Sequence, residues 1–308
     1  MGDTAWTDTR RGPAVVRENG RLPPVTTTGN AAQGDGNQPL QVVRSGPERS
    51  FAITGVAVDG KSVSASMRTG PWLNGPRAGS ASGPVGGVLG VLVDNALGYA
   101  IMLARPAGHW SVSSEISIDM CGPVPADGSA LRAEGSVTHS DARGGISSGS
   151  VVDERGGLVA VCRQQGRWIR TLPAASSGSD SAGAAGRTGG GDLLELLDAQ
   201  VKSVDGGAEL ELVATPELVN PLGNLHGGIG LCASDVAAHA ALEAAGRPSS
   251  GTASVHIAYV RPVPRNTAVR FRASVEHAGR SFAVVRVTSV NENGRPCTIA
   301  TVTTDVRV

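Results

Sequence analysis

The chain has 308 residues, with 27 Lys and Arg balanced by 27 Asp and Glu, so no overall field draws it to nucleic acid or to an acidic membrane surface. Aromatic residues are only 3% of a length suited to two ordinary domains, which leaves Val, Ala, Leu and Ile to build the cores. Cys121, Cys162, Cys232 and Cys297 show neither a Cys-x-x-Cys pair nor a metal-ligand spacing, so no metal is expected; thiols among apolar neighbours are expected to be buried and reduced, as in the cytoplasm.

Residues 1–45 are rich in Gly, Pro, Thr, Asn and Gln without periodicity and are expected to form a disordered tail. The first residues lack the continuous apolar stretch of a signal peptide. Residues 46–173 follow as a first unit of single-domain size. Its pattern is a strand, a loop and then the long apolar stretch GGVLGVLVDNALGYA from Gly86. That run is long enough to raise a membrane span, but Asp94, Asn95 and four glycines interrupt it. A helix apolar nearly all round is equally one wrapped by a sheet, and that is the expectation here. Four strands follow, with GPVP closing the first of them because Pro cannot donate to a ladder and DERG forming a hairpin turn.

Residues 174–191, AASSGSDSAGAAGRTGGG, have the composition of a flexible linker. The second unit, 192–308, then repeats the first. VDG at Val58–Gly60 returns at Val204–Gly206, and PWLN ending at Asn74 returns as ELVN ending at Asn220, both at an offset of 146. The helix returns as GGIGLCASDVAAHAA from Gly227 at offset 141, so the loop GPRAGSASGPV of the first copy is five residues longer. SVSSEISIDMCGPVP matches SGTASVHIAYVRPVP at 139, and DERG matches NENG at 138. One helix followed by a meander of strands makes each copy α+β, with an antiparallel sheet curled around the helix.

An aspartate stands eight residues after the first glycine in both helices, Asp94 after Gly86 and Asp235 after Gly227. A carboxylate in an apolar run is costly unless it is used or neutralised. The helix starts offer the complementary group, because their first N–H groups are unpaired and lie at the positive end of the dipole. Such donors suit a developing oxyanion, and glycine allows close approach of a substrate to the backbone.

NPLGNLHGGIGLCASD followed by GTASVHIAYVRPVP resembles the PaaI-like acyl-CoA thioesterases of the hotdog superfamily, over about 115 residues from Asp192. The first unit is similar more weakly, through its Gly-Gly pair, Asp94 and the strand after the helix. The resemblance implies a tandem, or double, hotdog in which the halves pair as the subunits of a homodimer would. It implies that Gly227, with His226 beside it, polarises the thioester carbonyl with help from Asn220. Asp235 and Asp94 correspond to the acid that activates water or attacks the carbonyl, and Thr252 and Ser113 to the hydroxyl that orients the water.

In hotdog pairs each site spans the interface. One site here would therefore join Asn220, His226, Gly227 and Gly228 to Asp94 and Ser113. The other would join Asn74, Gly86 and Gly87 to Asp235 and Thr252, with Val85 where the first has histidine; the first is expected to do most of the work. The substrate implied is an acyl-CoA, with coenzyme A part of it and no separate cofactor. A hydratase or dehydratase acting on acyl thioesters, and a non-catalytic acyl-CoA-binding module, stay open beside hydrolysis, as does further homo-oligomerisation. His226 either contacts substrate or fixes its loop through a backbone hydrogen bond. His239, where the first copy has Gly98, is expected to be an ordinary i,i+4 neighbour of Asp235, and His139 and His277 surface or turn residues. Arg261 and Arg265 either meet the coenzyme A phosphates or are solvated surface cations.

Overall fold

The computed structural model describes residues 46–75, 83–170 and 191–306. The expected tail, nearly all of the expected linker and most of the longer loop lie outside the described residues. In chain order the elements of the first unit are α1 (Gly46–Ser50), β1 (Ile53–Asp59), β2 (Ser62–Arg68), two short 3₁₀ turns (Pro71–Leu73 and Gly86–Leu89), α2 (Gly90–Leu103), β3 (Trp110–Met120), β4 (Ala130–Ser140), β5 (Gly144–Asp153) and β6 (Leu158–Ile169). Those of the second are α3 (Leu193–Leu197), β7 (Gln200–Val204), β8 (Gly207–Val213), α4 (Gly227–Ala244), β9 (Ser249–Tyr259), β10 (Ala268–Ala278), β11 (Phe282–Asn291) and β12 (Pro296–Val306).

All twelve strands form one sheet in the order β1-β2-β4-β5-β6-β3-β9-β12-β11-β10-β8-β7. The order is the same read from either end, so each half is a copy of the other about the seam between β3 and β9. That seam is antiparallel, with Ser117 opposite His256 at its centre. The duplication extends to irregularities: the ladder slips between Val137 and His139 on β4 and at the matching Val275 and His277 on β10. DERG and NENG turn between strands with Gly156 at φ 81° and Gly294 at φ 71°, conformations that favour glycine. β3 and β9 end just before GPVP and RPVP, as expected.

Two expectations need correction. Each helix is preceded by two strands rather than one, because VDG is a hairpin turn with Gly60 at φ 57° and Gly206 at φ 77°. Cys121 is exposed at the end of β3, whereas Cys162, Cys232 and Cys297 are buried; all four are free. A finer difference is that the first helix starts late, since Gly86–Leu89 is a 3₁₀ turn and α-helical geometry begins at Gly90, while α4 is α-helical from Gly227.

The sheet wraps both helices. The run Gly86–Leu103 has the length and hydropathy of a membrane span, but 83% of it is buried inside the fold. On α2 the side chains of Val91, Leu92, Ala96, Leu97, Ala100 and Ile101 are all wholly buried. Inward-facing strand residues such as Leu131, Ala133, Phe271, Val285 and Val302 close the core around the helices, each large one stabilising by roughly 1.5–3 kcal/mol. The helices themselves touch where Gly90 meets Gly228: a Cβ on Gly228 would lie 2.4 Å from the Gly90 carbonyl carbon. This backbone contact brings the start of each helix beneath the aspartate of the other.

Candidate active site

Asp94, one turn into α2, is bonded from both units. Its Oδ2 accepts from the Gly228 N–H at 3.2 Å, across the interface. Its Oδ1 accepts from Ser113 Oγ on β3 at 2.8 Å and from Gln164 Nε2 on β6 at 2.7 Å. Gln164 also donates to Ser113 Oγ at 2.8 Å, so carboxylate, hydroxyl and amide form one closed network. Gln164 occupies space that Gly98 leaves open, since a Cβ at 98 would lie 3.2 Å from its Nε2. Sequence reasoning missed Gln164. The signal available was alternation on β6, where Cys162, Gln164 and Gly166 all face inward and a polar residue in that row needs a partner.

His226 is the N-cap of α4, and its Nδ1 accepts from the Gly228 N–H at 3.1 Å. The loop-fixing role is therefore realised, while the ring also lines the cavity beside Asp94. Nδ1 is 3.4 Å from Asp94 Oδ2, and Nε2 is 3.5 Å from Oε1 of Glu48, a buried carboxylate from α1 that sequence reasoning also missed. Burial pushes the imidazole pKa down, but Asp94 and then Glu48 outweigh it and hold the pKa above its ordinary value. Tyr259 donates from its hydroxyl to the Gly227 carbonyl at 2.6 Å. Burial, reinforced by Asp94, raises that phenol well above its ordinary pKa, so it stays protonated and is no base.

The Gly227 N–H has no hydrogen-bond partner among the described residues. It lies half-buried at a cavity of about 510 Å³ that Asp94, Ser113, Gln164 and His226 also line. From α2, β3 and β6 the cavity takes Tyr99, Met102, Trp110 and Ile169, and from the second unit Asn220, Leu222, Arg261 and Pro262. Asn220 Oδ1 accepts from the Leu222 and Asn224 N–H groups. Its acceptor end thus holds the loop, and its donor end is left for the cavity. Arg261 reaches this cavity while donating to the Pro296 carbonyl; Arg265 is not among the lining residues.

The second expected site is assembled from the same parts and is closed. Gly87 N–H donates to Asp235 Oδ2 at 2.7 Å, and Thr252 Oγ1 donates to the same oxygen at 2.8 Å. Here, however, Gly86 N–H is occupied, donating to Thr252 Oγ1 at 3.0 Å. Met120 presses on Gly86, with its sulfur 2.9 Å from where a Cβ would stand. His239 is more than a neighbour on the helix: its Nε2 lies 3.0 Å from Thr252 Oγ1 and 3.4 Å from Asp235 Oδ1, and its Nδ1 is 2.7 Å from Ser249 Oγ. The Asp235 side chain is 0% exposed, against 11% for Asp94. Asn74 does not bond to Asp235 or Thr252; its carbonyl accepts from Leu193 N–H at 3.0 Å, tying the start of α3 to the first unit. His139 and His277 are exposed, as expected.

The architecture has known counterparts. Over 83% of its length the chain aligns with 99% of a protein from Novosphingobium aromaticivorans provisionally named a thioesterase, with a TM-score of 0.59 and 15% identity. Over 80% it aligns with 97% of a Lactobacillus plantarum protein provisionally named an oleoyl thioesterase, with a TM-score of 0.54 and 11% identity. The fold is the tandem hotdog. Residues 222–298, which run from the loop before α4 into β12, match the family model of the thioesterase superfamily. The PaaI protein of the E. coli phenylacetic acid degradation operon aligns at 21% identity over 37% of this chain and 83% of its own, with a TM-score of 0.35. No curated protein matches the chain.

Proposed function

We propose that the chain hydrolyses an acyl-CoA thioester at a single site built from both units. The observation that carries this is the convergence, on one cavity, of the Asp94 carboxylate and the unpaired Gly227 N–H. Hydrolysis needs a base for water and a donor for the oxyanion, and the superfamily match of residues 222–298 supports that reaction class. Water held by Asp94 and Ser113 adds to the thioester carbonyl and gives its proton to Asp94. The carbonyl oxygen becomes an oxyanion facing the Gly227 N–H at the positive end of α4. Collapse breaks the carbon–sulfur bond, releasing the acid and the coenzyme A thiolate, which takes up the proton. Arg261 supplies a cation suited to a phosphate on the coenzyme side.

The Asp235 site has both its helix-start donors occupied and its carboxylate sealed, so catalysis rests on Asp94. Thiol release from short-, long- and aryl-acyl-CoAs tests this. Asp94→Asn should lower kcat/KM by about 10²–10⁴-fold, while Asp235→Asn should leave far more activity. Equal losses, or a larger loss at Asp235, would overturn the asymmetry. Hydration of an enoyl-CoA without thiol release would assign a hydratase instead, and binding without turnover a non-catalytic module.

A further inference from the structure

We propose that Glu48 is a positioning residue of this site, a role that rests on the hydrolytic reading above: it holds the Nε2–H of His226, so that Nδ1 stays an acceptor and does not donate to Asp94. The helix that carries Glu48 precedes the first strand yet packs on the second unit. A Cβ on Gly46 would fall 2.3 Å from Glu217 Cα, so glycine there is what lets α1 lie so close. The Glu48 side chain is 6% exposed, with Oε1 3.5 Å from His226 Nε2 and accepting from Asn95 Nδ2 at 3.2 Å. Because the Gly228 N–H already donates to Nδ1, a neutral ring carries its proton on Nε2, which faces Glu48.

The alternative arrangements of that proton are unproductive. A hydrogen on Nδ1 displaces the Gly228 amide and points at Asp94 Oδ2, 3.4 Å away, where it occupies the lone pairs that take a proton from water. Among the described residues, Glu48 from α1 and Asp94 from α2 face the ring, and the protonated Tyr259 from β9 lines the same cavity. Both carboxylates favour the doubly protonated ring, so kcat/KM is lost as pH falls through the His226 pKa, and Glu48 together with Asp94 sets where that limb lies. Among the described residues the other half has no such pair. Val85 replaces the histidine, and Glu195, the first-turn acid of α3, is exposed.

Glu48→Gln removes the charge and keeps a hydrogen-bonding group of the same shape. The acid limb of kcat/KM for thiol release should move down by about one pH unit. The NMR titration of His226, its signal identified by loss in His226→Asn, should move by the same amount. In the His226→Asn background, where asparagine can still cap the helix, Glu48→Gln should move no limb. A His226 midpoint that stays put in Glu48→Gln, or a loss of kcat/KM by one factor at every pH, overturns the proposal. Absence of thiol release from the parent protein would sink the hydrolytic reading instead, and the NMR shift would still judge the Glu48–His226 contact.

Discussion

Asp94 and Asp235 each accept an amide N–H from the start of the opposite helix, and the groups around that bond separate their fates. At Asp235 the hydroxyl of Thr252 also caps Gly86 N–H, and His239 closes over both. At Asp94 the hydroxyl of Ser113 is drawn to the carboxylate by Gln164, and Gly227 N–H is left open. In the hydrolytic reading proposed above, Asp235 is a structural group. Asp235→Asn replaces one acceptor oxygen by a donor against the Gly87 N–H and Thr252, which should cost about 1–3 kcal/mol, seen as a lower urea midpoint at unchanged m-value. The acids and hydroxyls were legible because both units carry them in the same order, on a helix and the strand after it, and His226 because it adjoins the second Gly-Gly pair. Gln164 and Glu48 were not, since Gln164 reaches Asp94 from a strand 70 residues along the chain and nothing local to Glu48 marks its partner.

Among the elements, the crossing of α2 and α4 sets the geometry of both half-sites. Its closeness depends on Gly90 and Gly228 having no Cβ, since a methyl on either would meet backbone at 2.4 Å. Gly228→Ala should force the helices apart, costing about 1–3 kcal/mol or more and drawing the Gly228 amide away from Asp94. Thermal unfolding and thiol release would register the two losses together, and an unchanged Tm would contradict the account. The central helices and strands announced themselves through sustained apolar pattern. The hairpins before each helix did not, because β1 and β7 are outer strands with mostly exposed or half-buried residues. They lack the alternation that marks a half-buried strand.

At the level of the molecule, the units share one sheet through the β3–β9 seam and one core around both helices. At the proposed site the acid comes from the first unit and the helix-start donor from the second, with Gly228 N–H donating to Asp94 across the interface. The chain should accordingly unfold as one cooperative body. Calorimetry should give a single transition with equal calorimetric and van't Hoff enthalpies; two separable transitions would show that the seam and helix crossing do not couple the units. The duplication was legible from the ordered matches and their drifting offset, and the resemblance to hotdog dimers implied the pairing of halves, because a duplicated chain can repeat the contacts of a homodimer within itself.

The resemblance to the hotdog family placed each aspartate at the opposite helix start; composition, periodicity and a repeated motif were enough to specify two α+β units and a buried helix in each. These are local or translational patterns, and a linear chain displays them directly. Which of the two matched sites stays open was decided only by the folded structure. Access depends on side chains arriving from separate elements: Gln164, Glu48 and Tyr259 around Asp94, and His239, Ser249 and Met120 around Asp235. Matching motifs place the carboxylates alike, and the unlike neighbours brought in by the sheet leave one helix-start amide free and occupy the other.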